Sequence, residues 1–241
     1  MQTAFAVVFM AYIVRGFAGF GAGLIYMPFA AALFGPKVAA ATILIFDLPA
    51  TIPFTLRVLQ HAKPREVAPL VIGATVTTPV GAYLLLNIDP APLRWGLCTL
   101  IVVLLVLVAS GWRYRRPVND TGAIIVGGAS GILNGLAQIG APPLILFWLS
   151  RASAAQQMRA DASLFFTLTT VISIITYLVA GLFTYDVLLR SFLMAPVSIV
   201  GLVIGSYLFG FASPAVYRWI AFGLVGLSGV AGLPLFDGLL R

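Results

Sequence analysis

Apolar residues run along this chain in stretches long enough to cross a bilayer, and most charged residues gather between them. The stretches fall at roughly 2–34, 38–56, 67–86, 92–112, 121–149, 161–181, 187–210 and 214–235. This pattern predicts an all-α, polytopic membrane bundle that uses nearly the whole chain. No connection is long enough for a separate soluble domain. Two of the stretches exceed what one span needs, and each carries a glycine-rich interruption. The first is Gly16-Phe17-Ala18-Gly19-Phe20-Gly21-Ala22-Gly23; the second is Gly131-Ile132-Leu133-Asn134-Gly135-Leu136-Ala137-Gln138-Ile139-Gly140-Ala141-Pro142-Pro143.

The interruptions lie about half a chain apart and belong to an internal repeat. A shift of 119 brings Gly16, Gly21 and Ala22 onto Gly135, Gly140 and Ala141. A shift of 124 brings Gly81-Ala82-Tyr83-Leu84 onto Gly205-Ser206-Tyr207-Leu208 and Arg94-Trp95 onto Arg218-Trp219. Between these blocks, Ala41-Thr42 aligns with Ala162-Ser163 at a shift of 121. The predicted organisation is therefore an N-terminal repeat at 1–112, a basic cytoplasmic linker at 113–120 and a C-terminal repeat at 121–241. Each half holds one Gly-broken segment followed by three ordinary spans. Duplicated halves with matching broken helices are the sequence pointer to a secondary transporter's site.

A broken segment can cross the membrane or turn back. Its two arms of some thirteen to fifteen residues each reach about 20 Å, more than half of a hydrocarbon core of about 30 Å. A re-entrant hairpin gathers Arg57, Lys63, Arg65, Arg113, Arg115, Arg116, Arg151, Arg159 and Arg218 on one side, against Lys37, Arg94, Arg190 and Arg241 on the other. That division of nine to four is sharper than the eight to five of full crossing, so the positive-inside tendency favours hairpins. Three full crossings per half then give two inverted repeats.

Composition narrows the function. With 61% hydrophobic and 9% charged residues and a mean hydropathy of +1.07, the chain has too little polar surface for a water-soluble domain. Its net charge of +7 sits in short loops, which suits lipid headgroups and topology and argues against nucleic acid as a partner. Cys98 alone, within a span, implies neither a disulfide frame nor a thiol metal cluster, and no metal or cofactor is expected. The N-terminus reads as mature structure, because no basic residue precedes Arg15. A single histidine, His61 in a basic loop, and a single glutamate, Glu66, are a poor acid–base complement for a membrane-embedded lipid-modifying enzyme. That reading and a non-transporting accessory subunit are the alternatives to transport.

The breaks suggest their own chemistry. Backbone groups freed in a membrane must be satisfied by protein, water or ligand. In each half a second arm is expected to begin at the break, near Gly21-Ala22-Gly23 and Gly140-Ala141-Pro142-Pro143, where proline suits a first helical turn. Two helix N-termini facing each other near the midplane would favour an anion. Candidate binding residues are Arg15, Gly19, Gly21, Ala22 and Gly23 from the first break, with Asn134, Gln138, Gly140 and Ala141 from the second. The glycines could equally serve close helix packing, and Arg15 could pair or snorkel instead. Asp47, the carboxylate well inside a span, either carries a coupling proton or pairs with Arg15 or Arg57. Asp161, near Arg159, reads as a local ion pair or a first-turn acid, and Pro49, Pro53, Pro79 and Pro196 as kinks within spans.

Phe20-Gly21-Ala22-Gly23-Leu24-Ile25-Tyr26-Met27-Pro28, echoed by Ile139-Gly140-Ala141-Pro142-Pro143-Leu144-Ile145-Leu146 after a basic midpoint linker, resembles the TauE/SafE sulfite exporter family of bacterial permeases. The similarity extends over nearly the whole chain. It implies a secondary transporter of sulfite or related sulfur-containing or organic anions in the cytoplasmic membrane, coupled to protons or to the membrane potential. The implied partners are a small anionic substrate and membrane lipids, and a homo-oligomer is left open. Against the family's run of glycines, Ala22 replaces one in the first half, Ala141 and Pro142 replace two in the second, and Phe147 stands where Pro28 does.

Overall fold

The structure, a computed structural model, describes residues 2–89, 119–150 and 155–211, together with isolated positions between 92 and 106. Most of the fourth stretch of the first half, all of that in the second half (214–235), linker residues 113–118, and Arg94, Cys98, Arg151, Arg218 and Trp219 lie outside the described residues. The described elements are helical: α1 (Gln2–Ala18), α2 (Ala22–Phe34), α3 (Pro36–Val58), a 3-10 turn (Leu59–His61), α4 (Pro64–Asn87), α5 (Asp120–Ala137), α6 (Ala141–Ser150), α7 (Ala155–Val179) and α8 (Tyr185–Phe209). Among them α3, α4, α7 and α8 are long and apolar enough to span a membrane. Both long stretches with glycine clusters are broken where expected, α1 from α2 and α5 from α6.

Local chemistry sets the boundaries. Gly35, at φ 83°, turns the chain between α2 and α3, and Pro36 opens α3 at a position whose N–H would have no helical partner. Asn119 caps α5 by accepting the Gly122 N–H (2.9 Å), and the Thr184 hydroxyl accepts the Val187 N–H at the start of α8. Pro49, Pro53, Pro79 and Pro196 all lie within helices.

Glycine contacts reveal how the halves engage. α1 runs alongside α8 in the same direction. A Cβ on Gly205 would stand 2.0 Å from the Ile13 carbonyl oxygen, and one on Gly16 would stand 2.1 Å from that of Leu202. α5 runs alongside α4 in the same way. A Cβ on Gly81 would stand 2.1 Å from the Ile132 oxygen, and one on Gly135 would stand 2.0 Å from that of Thr78. Gly16 and Ile13 map onto Gly135 and Ile132 at the shift of 119, and Gly81 and Thr78 map onto Gly205 and Leu202 at 124. The same backbone approach therefore occurs twice, at the offsets of the sequence repeat. Each half buries its first helix against the last described helix of the other, and only residues without a side chain permit contacts this close.

α3 also follows α8 in direction: the Ser191 hydroxyl donates to the Thr42 carbonyl (3.1 Å), and that of Ser198 donates to the Phe46 carbonyl (3.3 Å). Against α7 it runs oppositely, with Thr55 beside Thr167 (2.8 Å) and Asp47 beside Thr170 (3.3 Å). Lys37 Nζ donates to the Leu86 carbonyl (2.9 Å), tying the start of α3 to the end of α4. At the other end, Asp161 accepts the Lys63 N–H (2.7 Å), which joins the starts of α4 and α7.

Two charged positions depart from the expectation. Arg159, counted with the loop charges, is 7% exposed, because α7 starts at Ala155 and turns this position inward. Its guanidinium donates to the Gly16 carbonyl and to Ser206 Oγ (3.0 Å), between the rings of Phe54 (4.7 Å) and Phe209 (4.2 Å). A cation there meets carbonyls at the negative end of α1. Asp161 is a bridge between segments: besides Lys63, it accepts from Gln157 (3.4 Å).

Candidate functional site

The first break is built by two left-handed glycines, Gly19 (φ 83°) and Gly21 (φ 98°). The Gly19 N–H closes α1 onto the Arg15 carbonyl (2.7 Å), and the Ile25 N–H opens α2 onto the Gly21 carbonyl (3.3 Å). The N–H groups of Ala22, Gly23 and Leu24 precede that first bond and have no acceptor within the helix. The second break turns at Gln138, at φ 57°, a left-handed conformation without glycine. Asn134 stabilises it, its carbonyl accepting the Gln138 N–H (2.9 Å) and side-chain amide (2.6 Å) and its Oδ1 accepting the Gly140 N–H (2.9 Å). The Ser130 hydroxyl donates to the Gly140 carbonyl (2.6 Å).

The two breaks touch. A Cβ on Gly23 would lie 1.8 Å from the Gln138 carbonyl oxygen, so the first turn of α2 rests directly on the backbone of the other half's break. Beside this contact is a cavity of about 20 Å³, lined by Arg15, Asp47, Asn134, Gln138, Phe166 and Thr170 as well as the helix-start residues Gly21, Gly23, Leu24 and Ala141. It has room for about one water molecule.

Within it, Arg15 and Asp47 are 7% and 4% exposed and form an ion pair, Nη2 to Oδ2, at 2.9 Å. The Thr170 hydroxyl donates to the same carboxylate oxygen (3.3 Å), and the Tyr12 hydroxyl donates to Oδ1. Arg15 also lies over the Phe166 ring (5.8 Å). In the second half Asn134, the repeat counterpart of Arg15, donates through Nδ2 to Thr169 (3.3 Å). One half thus contributes a charged pair and the other a neutral pair at the matching place.

Seven sequence-predicted residues converge on the cavity: Arg15, Gly21, Gly23, Asp47, Asn134, Gln138 and Ala141. Gly19, Ala22 and Gly140 are buried at the breaks without being among its lining residues. Gly19 backs onto the Arg159 carbonyl, and a Cβ on Gly140 would meet Ser130 at 2.6 Å, so close packing requires these glycines. Asp47 pairs with Arg15, one of its two expected partners. Tyr12, Phe166 and Thr170 were missed. Tyr12 carried a signal, since a spacing of three places it on the Arg15 face of a helix; the partners on α7 had none.

The arrangement presents a guanidinium and two helix starts as donors, with one carboxylate opposing them, while the amides of Asn134 and Gln138 are bonded to Thr169 and to the Asn134 carbonyl. Such a set suits a small anion bearing several acceptor oxygens.

Comparison with known proteins identifies the family. The family model described as sulfite exporter TauE/SafE matches residues 4–232. The probable sulfite/organosulfonate exporter TauE of Cupriavidus necator is 26% identical over 223 residues, covering 90% of this chain and 87% of that protein. No solved structure matches. With a family match over nearly its whole length, on a multi-pass helical frame whose matched breaks meet at a donor-lined cavity, the chain belongs to the TauE/SafE sulfite exporter family.

Proposed function

We propose that this protein carries sulfite, an organosulfonate or a closely related oxyanion across the bacterial cytoplasmic membrane, binding it between the starts of α2 and α6 beside Arg15. The convergence of Arg15 with both helix starts on one cavity carries this reading. The family is one of transporters and not of enzymes. A cavity of about one water is too small for a sulfur atom bearing three oxygens, so the halves must move apart to load and release it. Alternating access by two inverted repeats supplies that motion.

Helix directions support the inversion. α3 and α7 are repeat counterparts, yet they pack in opposite directions. They also support re-entrant breaks: α1 and α3 both follow α8, and one glycine separates α2 from α3, so α2 must return toward the end where α1 began. α5 follows α4, and α4 and α7 start together, which makes the same demand of α6. Arg57, Lys63 and Arg65 cluster where α3 ends and α4 begins, and that end faces the cytoplasm.

Two measurements test the reading. Purified protein in proteoliposomes is expected to move sulfite or an organosulfonate down an imposed gradient; no flux of any sulfur oxyanion or short carboxylate would leave the accessory-subunit alternative in its place. In a Cys98→Ser background, Thr3→Cys, Lys37→Cys and Asn87→Cys are expected to react with an impermeant maleimide from one face, and His61→Cys from the other. Labelling of Thr3→Cys and Lys37→Cys from opposite faces would mean that the first broken segment crosses.

A further inference from the structure

Of the described residues lining the cavity, Arg15 and Asp47 alone carry charge. The Asp47 carboxylate holds the donors of Arg15, Tyr12 and Thr170, which is the coordination an oxyanion would seek. It therefore occupies, from within the protein, the cation that the transported anion needs. Two anions cannot share one guanidinium in so enclosed a space, because their repulsion is little screened. Either the incoming anion stays out or Asp47 gives up its charge.

We propose that Asp47 takes up one proton as the anion binds Arg15, so that one proton and one anion cross together. The inference rests on the transport reading above and adds its coupling. A proton from the loading side joins a carboxylate oxygen of Asp47, and the guanidinium N–H groups pass from that carboxylate to an oxygen of the anion. Release on the far side reverses both transfers, and Tyr12 keeps its proton throughout. The cavity then has the same charge when empty, with Arg15 cationic and Asp47 anionic, as when loaded with a monoanion beside a protonated Asp47. Reorientation through lipid thus costs no extra buried charge in either state. A monoanion moves electroneutrally, whereas a dianion moves with one net negative charge that the membrane potential drives outward.

Among the described residues around the cavity, the other ionisable groups are engaged elsewhere or do not reach Arg15. From α1, Asp47 faces Arg15 and Tyr12. On α2, the Tyr26 hydroxyl points to Met194 sulfur (3.9 Å). On α7, Thr170 does not ionise, Arg159 is engaged at Gly16, and Asp161 at Lys63. α5 contributes the neutral Asn134 and Gln138, and on α8 the Asp186–Arg190 pair (2.7 Å) lies on the exposed first turns.

The test uses the full chain in proteoliposomes with an internal pH dye and labelled methanesulfonate or sulfite. Methanesulfonate stays ionised at every working pH, so any proton that accompanies it comes through the protein. For sulfite, the protein's share is the excess over Asp47→Asn. Wild-type flux is expected to rise as pH falls on the loading side, by up to about tenfold per pH unit, the one-proton limit. Asp47→Asn is expected to give a flat pH profile with no proton movement. Anion flux with no accompanying proton, or a wild-type pH profile in Asp47→Asn, overturns the coupling alone. Absence of anion flux in every protein overturns the transport reading and the coupling with it.

Discussion

Replacing Arg15 with Gln is expected to abolish anion flux and to cost about 3–5 kcal/mol of stability, the usual penalty for leaving one partner of a buried ion pair alone. Asp47 is 4% exposed, and it would keep only the Tyr12 and Thr170 hydroxyls as donors. Two roles are joined in this loss, and a second variant separates them. Arg15→Gln combined with Asp47→Asn removes both charges and leaves two amides that can bond to each other, so most of the stability is expected to return. Flux is not, because the cation that would hold the anion is gone. Thermal unfolding in detergent reads the first effect and proteoliposome uptake the second. Flux by the stable double variant would show that the helix starts alone hold the anion and that Arg15 is only the counterion of Asp47.

Gly23→Ala is expected to be nearly as damaging for a steric reason. The new methyl would stand 1.8 Å from the Gln138 carbonyl oxygen, a backbone atom that cannot rotate away. The two breaks would have to separate by more than about 1 Å to restore an ordinary contact. Overpacking of this kind costs typically about 1–3 kcal/mol. Here it also displaces the start of α2 from its opposite number, so transport is expected to fall to background. Gly128→Ala is the control, since a methyl there would meet the Thr77 methyl at 3.5 Å and the Gly73 carbonyl oxygen at 3.8 Å, both ordinary contacts. Equal flux in the two variants would mean that contact between the breaks has no part in transport.

The contrast between Gly23 and its neighbours shows how far residue type alone can be read. Gly21, Gly23 and Gly140 look alike as members of two clusters, yet each is glycine for a different reason. Gly21 needs a left-handed backbone, with only a Val14 methyl group nearby at 3.6 Å. Gly23 needs room for the other half, and Gly140 needs room for Ser130 and Asn134. Gln138 takes a left-handed conformation where a glycine would be the usual choice, held by its own bonds to Asn134. Asn134 looked on sequence like a donor for the ligand. In the fold its Oδ1 fastens the break, while Nδ2 binds Thr169.

By itself, the sequence determined the membrane class, the helical character of the described spans and the position of both breaks. Each of these is written locally, as a run of apolar residues or a cluster of small ones. It also named seven of the residues that meet at the cavity, because intramembrane charge and paired breaks are rare enough to stand out. Only the tertiary structure decided that Arg15 is held by Asp47, that Arg159 leaves the loop charges to close the end of α1, and that Gly23 rests on Gln138. The physical reason is common to all three: each contact joins helices distant in sequence, and which face of one helix meets which face of another is set by packing the whole bundle at once.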